Sequence, residues 1–513
     1  MISNALLRFK GRLKPHFLLI LAVATVALII IGCGGNTPTM QSSSMGAISV
    51  SVSDPPSCMA ATPGATGVPD GGTAAPGGTF SSVFVTIRSI QAHVSATADD
   101  TSSGWQELAP QLVSAPVQVD LLHLPAKGQC LLEQLGSTSL PAGDYQQIRL
   151  ILLANAAPSG PAPSTDSNAC FKPLGGDVFN CVVDSSGTHM LDLSSQANTG
   201  LKIPPGQIMG GPIHVAAGQS VDLNIDFNTC ASLIREGNGD FRLKPALTAG
   251  VVSQNKTGIS GQMVDSVTSQ PIAGAIVTLQ FADKSGVDRV AMQQQTDSTG
   301  HFSFCPLAVG AVFDVVSDAL TPSGTAYNVT VVPNVVGGTN LGAVPLVAET
   351  PATAGASTGP GTIQGTITAI NGTAGATIDA DVSALQTVTV SSTSLTFTVP
   401  LFPKSNAADV TVTSSTSCPT GAPKGAFCGS YTLVVPASNP IVGTFAAGKT
   451  TITSPATGDV LYTVEADATN PASDATMCSP SSQTTSKDAT AMPLKVTAGA
   501  TTTAAELDFT GCS

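Results

Sequence analysis

The sequence has little charge and few aromatic side chains. Charged residues make up 10% of its 513 residues and aromatic residues 4%, with one Trp and four Tyr. Surfaces that bind nucleic acid carry basic patches interleaved with aromatic rings, and the sequence has no such patch. It also lacks the long Glu- and Lys-rich stretches of helical proteins. The composition argues against a nucleic-acid binder or a large helical enzyme.

The abundant residues favour β-structure. Val, Thr, Ser and Gly dominate, hydrophobic residues reach 42%, and Gly (51) and Pro (36) are frequent enough for many turns. Such a composition favours short strands joined by turns. A chain of this length has room for about three domains of ~150 residues. We predict an all-β protein with several β-sandwich domains.

The N-terminus has the pattern of an export signal. Residues 1–14 contain four basic and no acidic residues, and an unbroken apolar run follows from Phe17 to Ile31. This run is short for a membrane-spanning helix and ends at Gly32-Cys33. Ile30-Ile31-Gly32-Cys33 resembles a bacterial lipobox. We therefore predict a signal peptide over residues 1–32 and lipidation of Cys33, with an uncleaved transmembrane anchor as the alternative.

The lipobox resemblance implies a location as well as an anchor. The family attaches a diacyl group and a further fatty acid such as palmitate to the Cys, and more than one acyl chain gives stable anchoring. Gly34 after the Cys implies sorting to the outer membrane, on its periplasmic or its surface face. A chain cleaved before Cys33 keeps 16 basic and 33 acidic residues, a net charge of −17, which disfavours contact with nucleic acid.

The cysteines indicate an oxidising compartment. Besides Cys33 there are ten, an even number that allows up to five disulfides in an exported chain. No CxxC motif or zinc-type spacing occurs, so we expect neither metal nor thiol-redox use. The short spacings predict three pairs, Cys170/Cys181, Cys418/Cys428 and Cys478/Cys512. The other four can pair in three ways, of which we favour the one with Cys58–Cys130.

Composition and strand patterns divide the exported chain into a tether and three domains. A Ser/Thr-rich tether spans residues 33–46, and a Pro-, Ala-, Thr- and Gly-rich linker spans residues 351–360. Segments with period-2 alternation fill the rest, and Asn238-Gly239 is a hairpin-turn signal. We predict β-rich domains over residues 47–255, 256–350 and 361–513.

The first domain contains four recognisable pieces in order. They are Leu140-Pro-Ala-Gly-Asp-Tyr, Thr199-Gly-Leu-Lys, Ile225-Asp-Phe and Gly237-Asn-Gly-x-Phe-x-Leu-Lys-Pro. Together they resemble an uncharacterised domain of unknown function found in bacterial surface lipoproteins, over about residues 46–253. The resemblance implies a surface lipoprotein and no activity.

The second domain carries Ile259-Ser-Gly-Gln-Met-Val-Asp, Gln270-Pro-Ile-Ala-Gly-Ala and Thr296-Asp-Ser-Thr-Gly-His-Phe-Ser-Phe. These segments resemble a carboxypeptidase regulatory-like domain, a small transthyretin-like β-sandwich without peptidase chemistry. Pro271 to Gly274 predicts a turn into a strand, and Asp297 to Gly300 predicts a hairpin turn into His301–Phe304.

Catalytic motifs give no consistent signal. The sequence has no HExxH, it matches GxSxG once, in the linker at 355–359, and it matches the P-loop pattern GxxxxGK[ST] once, at 443–450. Neither short match lies between a predicted strand and a predicted helix, so neither indicates catalysis. His189 lies close to Asp192-Leu-Ser-Ser, but a polar turn explains these residues better than a nucleophile does, since a triad is defined by geometry. Cys305 near His301 is better explained by a disulfide. We predict no catalytic residue and no cofactor.

Two binding sites are worth testing. Asp222, Asn224 and Asp226 share one face of a predicted strand, and with Glu236 and Asp240 they could offer oxygen ligands to calcium. A solvated outer face is the simpler interpretation, because Asp222 and Asp226 are about 13 Å apart along a strand. Trp105 follows a Ser-Ser-Gly turn and is the candidate platform for a sugar, although large rings are more often buried.

These observations favour a non-catalytic cell-envelope lipoprotein with a structural or protein-binding role. It would contact the membrane through its lipid, and an unidentified protein or glycan partner through its loops. The first alternative is a glycan- or calcium-dependent adhesin or nutrient-capture accessory protein. The second is a hydrolase hidden in the first domain.

Overall fold

A computed structural model shows an almost entirely β-structured chain, as the composition predicts. It describes residues 45–54, 80–99, 101–127, 130–156, 160–193, 200–209, 211–235, 240–243, 247–252, 258–308, 310–349, 359–370, 378–402, 408–412, 418–422, 425–470 and 476–512. The predicted signal peptide, Cys33 and most of both the tether and the linker lie outside these ranges. Among the described helices, none is long and apolar enough to cross a membrane.

We call residues 45–252 the first segment. Its strands are β1 (Met45–Ser53), β2 (Ser82–His93), β3 (Gln106–Glu107), β4 (Val117–Asp120), β5 (Ala126–Lys127), β6 (Cys130–Pro141), β7 (Gly143–Tyr145), β8 (Gln147–Leu152), β9 (Cys181–Asp184), β10 (Gly187–Asp192), β11 (Leu201–Ile203), β12 (Ile208–Met209), β13 (Ile213–Val215), β14 (Ser220–Phe227), β15 (Leu233–Arg235), β16 (Phe241–Leu243) and β17 (Leu247–Val252). Its helices are α1 (Pro110–Ser114), α2 (Phe171–Leu174) and α3 (Thr229–Ser232), with 3-10 turns at Leu121–His123 and Pro205–Gln207.

Two larger sheets enclose the core of the first segment. One has the order β12-β17-β14-β1-β6-β5, with β1 parallel to β14, and the other has β11-β8-β2-β9-β10-β16-β15 with β3 and β4 on β2. The alternating apolar residues of β1, β2 and β14 point into one shared core, where Val50, Val85 and Leu223 are fully buried. β15 and β16 pair as the sequence predicts, but Asn238-Gly239 lies outside the described residues.

Residues 258–349 form the second segment, with two sheets. Its strands are β18 (Ile259–Asp265), β19 (Ile276–Ala282), β20 (Val287–Gln295), β21 (His301–Phe304), β22 (Val312–Leu320), β23 (Ala326–Val336) and β24 (Asn340–Leu346). One sheet has the order β21-β18-β24, and β23-β22-β19-β20 lie in the other.

The turn predicted at Asp297–Gly300 is confirmed, since the Gly300 N–H donates to the Asp297 carbonyl oxygen at 2.9 Å. The predicted hairpin is wrong. β21 pairs with β18, not with its predecessor β20. The reason is packing, because Phe302 and Phe304 alternate along β21 and are both buried when this strand joins the opposite sheet.

Residues 359–512 form the third segment. Its strands are β25 (Gly361–Ala369), β26 (Ile378–Val390), β27 (Thr393–Val399), β28 (Ala408–Val412), β29 (Phe427–Val435), β30 (Ile441–Ala446), β31 (Lys449–Ile452), β32 (Val460–Leu461), β33 (Thr463–Asn470), β34 (Thr476–Thr485), β35 (Lys495–Val496), β36 (Thr501–Thr503) and β37 (Leu507–Phe509).

The second and third segments share a sheet. It runs β31-β30-β23-β22-β19-β20-β27-β26-β33-β34, with β28 also on β26, so third-segment strands extend it at both edges. The junctions are short parallel pairings, β20 with β27 and β23 with β30. Gln280 and Thr398 reinforce the first junction, because the Gln280 side chain donates to the Thr398 carbonyl oxygen (2.7 Å) and accepts from its N–H (3.0 Å).

The two segments also share a hydrophobic core. Val316, Val329 and Val331 of the second segment pack among the core residues of the third. In return, Phe445 of the β30–β31 hairpin packs against the second core, and the buried Thr450 hydroxyl donates to the Leu341 carbonyl oxygen. Neither segment therefore completes its packing alone.

An ion pair spans the same junction. The guanidinium of Arg289 on β20 contacts Glu465 of β33 at 2.5 Å and Asp283 of its own segment at 2.8 Å. Glu465 is only 7% exposed, so its carboxylate has little access to water. Removing one partner of such a pair costs more than the pair contributes, because the other charge stays buried.

We expect Arg289→Ala to lower the free energy of unfolding by about 2 kcal/mol, below the value for a fully buried pair because the arginine is partly exposed. Combining it with Glu465→Gln should recover part of that loss, since no buried charge remains. Urea unfolding of both single variants and the double variant measures the coupling. Asp283→Asn, which removes the partner within the same segment, is the matched control. Additive effects within about 0.5 kcal/mol would contradict a coupled junction.

Four disulfides lie among the described residues. Cys170–Cys181, Cys418–Cys428 and Cys478–Cys512 are present as the spacing predicts. The favoured Cys58–Cys130 pair is wrong, because Cys130 of β6 is bonded to Cys305, with Cα atoms 5.0 Å apart. Cys58 lies outside the described residues. The fold brings the start of β6 beside the turn after β21 across 175 residues, a proximity that spacing cannot reveal.

Candidate functional site

A ladder of polar side chains runs between the parallel strands β1 and β14. Their register places Ser49, Ser51 and Ser53 opposite Asp222, Asn224 and Asp226. Each serine hydroxyl bonds its partner's side chain, at 3.0 Å for Ser51–Asn224 and 2.8 Å for Ser53–Asp226.

This face is buried toward its end, whereas the sequence predicts a solvated outer face. Asn224 is 3% and Asp226 2% exposed. The second segment approaches this face beside Asn224. Gly250, the partner of Asn224 on β17, lies so close to Ala308 that a Cβ at this glycine would come within 2.8 Å of the alanine side chain. The polar face is therefore part of the contact between the first and second segments.

Two buried acidic side chains lie near the end of the ladder. Asp54, directly after β1, accepts a hydrogen bond from the Thr229 N–H at 3.1 Å, and Asp226 accepts from Ser53. Burial raises the pKa of Asp226 to about 7. Burial, followed by repulsion from Asp226, raises the pKa of Asp54 well above its usual value, and Asp120 adds a smaller repulsion. Asp54 and Asp226 therefore keep their protons at pH values at which exposed carboxylates are charged.

Asp226→Asn should change the pH dependence of stability. The folded-state pKa near 7 lies above the unfolded value of about 3.9, so the folded protein holds an extra proton between them and stability falls as pH rises through that range. We expect the variant to match wild type at pH 4 and to exceed it by up to ~4 kcal/mol at pH 8.

Urea unfolding at pH 4, 6 and 8 in EDTA measures this difference. Asp222→Asn, from the same strand and ladder, is the matched control and should keep the wild-type pH dependence. Parallel curves for wild type and Asp226→Asn would show that Asp226 does not hold the proton.

Of the four acidic calcium candidates, the three that the structure describes do not form one site. Asp222 and Asp226 both bond serines of β1, whereas Asp240 accepts a hydrogen bond from the Met190 N–H beside the other sheet. Glu236 lies outside the described ranges. Within those ranges, no three His, Cys, Asp or Glu side chains are grouped so that they could hold a metal ion.

Trp105 lies beside a charged side chain and a second ring. The Arg149 guanidinium lies over its ring, 4.2 Å from the centroid, and the His93 ring lies at 5.2 Å. The indole N–H donates to the Asp99 carbonyl oxygen at 2.9 Å. The four Tyr (Tyr145, Tyr327, Tyr431 and Tyr462) are all buried. The four Tyr rings therefore offer no free face for stacking a sugar, and Arg149 occupies one face of Trp105.

His189 takes part in a Ser–His–Asp cluster, but with other residues than those considered from the sequence. Its Nε2 lies 2.9 Å from the Ser186 hydroxyl and 3.0 Å from Asp184, and the same hydroxyl donates to Asp184 at 2.6 Å. A catalytic relay uses one imidazole nitrogen for the serine and the other for the acid. Here Ser186 and Asp184 both contact the same nitrogen, Nε2 of His189, at the turn between β9 and β10. The cluster therefore stabilises this turn.

A groove of about 440 Å³ opens on the third segment. Its walls come from β26, β32, β33 and two loops, and its lining residues include Gln386, Asn439, Pro440, Leu461, Lys487 and Pro493. Leu461 is 49% exposed, and the Lys495–Asp459 ion pair (2.6 Å) lies beside it. The groove thus combines an exposed apolar side chain with amide and charged groups, and its volume falls in the range of ligand sites.

Asp54 and the groove were not singled out from the sequence. Asp54 directly follows a strand whose alternation places three serines on one face, and that face matches the Asp-Asn-Asp face of β14. The signal would have been this complementarity between two polar strand faces. The groove has no such signal, because its lining residues come from separate parts of the third segment.

Fold and sites together define an all-β protein of three connected segments, with a buried polar ladder at one junction and an open groove on the third segment. Residues 45–245 match the family described as domain of unknown function DUF4382. This match confirms the resemblance predicted for the first domain. None of the curated proteins compared with the chain matches it.

Three solved structures are similar over parts of the chain. The Bacillus anthracis TIE protein is 9% identical at a TM-score of 0.14, covering 91% of this chain and 51% of its own. The shaft pilin SpaA from Lactobacillus rhamnosus GG is 10% identical at 0.16, covering 60% and 100%. A leucine-rich repeat protein from Bacteroides thetaiotaomicron is 10% identical at 0.18, covering 51% and 27%.

This chain spans about half the length of the first of these structures. With TM-scores this low, none of the three supports a conclusion about fold or function.

Proposed function

We propose that this protein is a non-catalytic cell-envelope lipoprotein with a structural or protein-binding role. The connection between its segments carries the proposal. A disulfide joins the first to the second segment, and a common sheet and core join the second to the third. A chain built in this way holds surfaces on different segments in fixed relation, as a scaffold requires.

The disulfides support export. Persistent disulfides belong to oxidising compartments, such as the bacterial periplasm and the cell surface. Together with the lipobox resemblance at Cys33, they favour an anchor in the outer membrane. The two sheets of the second segment, with their core between them, are compatible with the carboxypeptidase regulatory-like assignment, which remains a prediction.

Cys33→Ala should abolish metabolic labelling with palmitate and move the protein from the membrane fraction to the soluble periplasmic fraction, because the acyl chains are the proposed anchor. Labelling and fractionation of intact cells measure both effects. Cys58→Ala is the matched control and should keep the label and the location. Membrane retention of Cys33→Ala would instead support the uncleaved transmembrane anchor.

A protein partner fits the third-segment groove better than a glycan does. Sugar sites generally need an exposed aromatic face, but the four Tyr rings are buried and Arg149 covers one face of Trp105. The groove offers Leu461 and two prolines for apolar contact, and Lys487, Gln386 and Asn439 for polar contact. Protein interfaces combine these features, with apolar anchors surrounded by polar groups.

A photoreactive amino acid at position 461 should give one discrete crosslinked species in intact cells. The same residue at position 336 is the matched control, because Val336 is also a 49% exposed apolar side chain but lies on the second segment. Denaturing electrophoresis measures the crosslinked mass. Equal crosslinking at both positions, or none at 461, would contradict a partner in the groove.

A further inference from the structure

Apolar side chains are exposed together at the end of the first segment where the described chain begins. Met45, the first residue of β1, is 39% exposed, and Val94, directly after β2, is 51% exposed. Pro141, the last residue of β6, and the following Ala142 are exposed as well. Single exposed apolar residues are common on proteins, whereas a group of neighbours is typical of an interaction surface.

Strand pairing brings these residues together. Met45 lies directly opposite Pro141 in the antiparallel pairing of β1 with β6. Gly143, two residues after Pro141, lies beside Val94, because a Cβ at this glycine would be 3.9 Å from Cγ1 of the valine. Met45, Val94, Pro141 and Ala142 therefore form one surface, which we call the apolar end.

Hydrogen bonds hold the backbone of the apolar end in place. The Tyr145 hydroxyl donates to the Pro141 carbonyl oxygen at 2.9 Å, and the Gln146 side chain donates to the Val94 carbonyl oxygen at 2.9 Å. The apolar side chains thus project from loops whose conformation the fold has already set. A surface preformed in this way binds a partner at a lower entropic cost than one that must first be ordered.

The rim of the apolar end carries an ion pair. Asp144 and His214 lie opposite each other on β7 and β13, are 62% and 72% exposed, and approach to 2.6 Å between Nδ1 and a carboxylate oxygen. A protonated imidazole neutralises this carboxylate. The exported chain has a net charge of −17, from 16 basic and 33 acidic residues, and such a charge is repelled by anionic headgroups. A surface whose rim acid is paired can approach a bilayer more closely.

Chain length keeps the apolar end close to the membrane. Eleven residues, 34–44, separate Cys33 from Met45. Even when fully extended, the chain between these two residues spans at most about 40 Å. An uncleaved transmembrane helix over the apolar run, which ends at Ile31, would set a similar limit. The first described residue therefore lies within reach of the lipid headgroups with either kind of anchor.

We propose that the apolar end rests on the phospholipid bilayer that holds the anchor, with the Met45 and Val94 side chains among the lipid headgroups. The inference rests on the membrane anchor of the proposed function. Apolar side chains gain from burial at the boundary between headgroups and acyl chains. Because even one myristoyl chain gives only marginal binding, these few side chains orient an anchored protein and do not bind a bilayer on their own.

Photochemical crosslinking of the full-length, membrane-purified protein tests this contact. The protein is reconstituted into vesicles of phosphatidylethanolamine and phosphatidylglycerol with radioactive phosphate, and carries a photoreactive amino acid at position 94. Illumination should transfer about five times more label to the protein than with the same amino acid at position 113, because only position 94 lies among the headgroups. The acyl groups of the anchor contain no phosphate, so the label reports on the surrounding phospholipid.

Val113 is the matched control because it is 54% exposed and belongs to the same segment. It lies on α1, where the Gln111 side chain bonds the Leu135 carbonyl oxygen of β6, and Leu135 is about 20 Å from Pro141 along that strand. With the photoreactive residue moved to position 142, Val94→Asp should lower the labelling about threefold, since a charge resists transfer out of water. Val113→Asp should leave that labelling unchanged.

Flotation of the vesicles separates failure of the anchor from failure of the docking. Protein that floats with the vesicles but is labelled equally at 94 and 113, or not at all at 94, would overturn the docking and leave the anchor intact. A crosslink from position 94 to a second protein chain in place of lipid would overturn it as well and assign the apolar end to a protein partner. A full chain that does not float would refute the anchor and this inference together.

Discussion

The arrangement of the second and third segments depends on the junction between β20 and β27. Only two residue pairs align there, yet they make one sheet of strands from both segments. Strands that lie between the two junctions of this sheet are buried on both faces. On β22 and β23, Val315 and Val332 pack into the second core while Val316 and Val331 pack into the third.

The junction between the first and second segments uses different chemistry. The polar side chains of β1 and β14 lie on the face that the second segment approaches at Gly250, and each serine hydroxyl of β1 bonds one side chain of β14. A polar interface of this kind specifies register, because a shift of one residue would place the apolar side chains of β1 opposite the acids. The Cys130–Cys305 disulfide fastens the same two segments.

Local features were predictable from the sequence, and contacts between distant residues were not. The alternation of residues 47–52 and 221–227 predicts β1 and β14, and short spacing predicts three disulfides. Nothing local indicates that β1 and β14 run parallel or that Cys130 reaches Cys305. The candidate site shows the same division. The period-2 argument correctly puts Asp222 and Asp226 on one face, but the burial of Asp226 depends on the tertiary fold.

The surroundings of Trp105 have a spectroscopic consequence. It is the only tryptophan in the chain, and it lies in the first segment with its indole beside a guanidinium and an imidazole. Its emission therefore reports on the first segment alone and gives no information about the sheet that the second and third segments share. Fluorescence and far-ultraviolet circular dichroism, which averages over all the strands, would consequently follow different parts of the same molecule during unfolding.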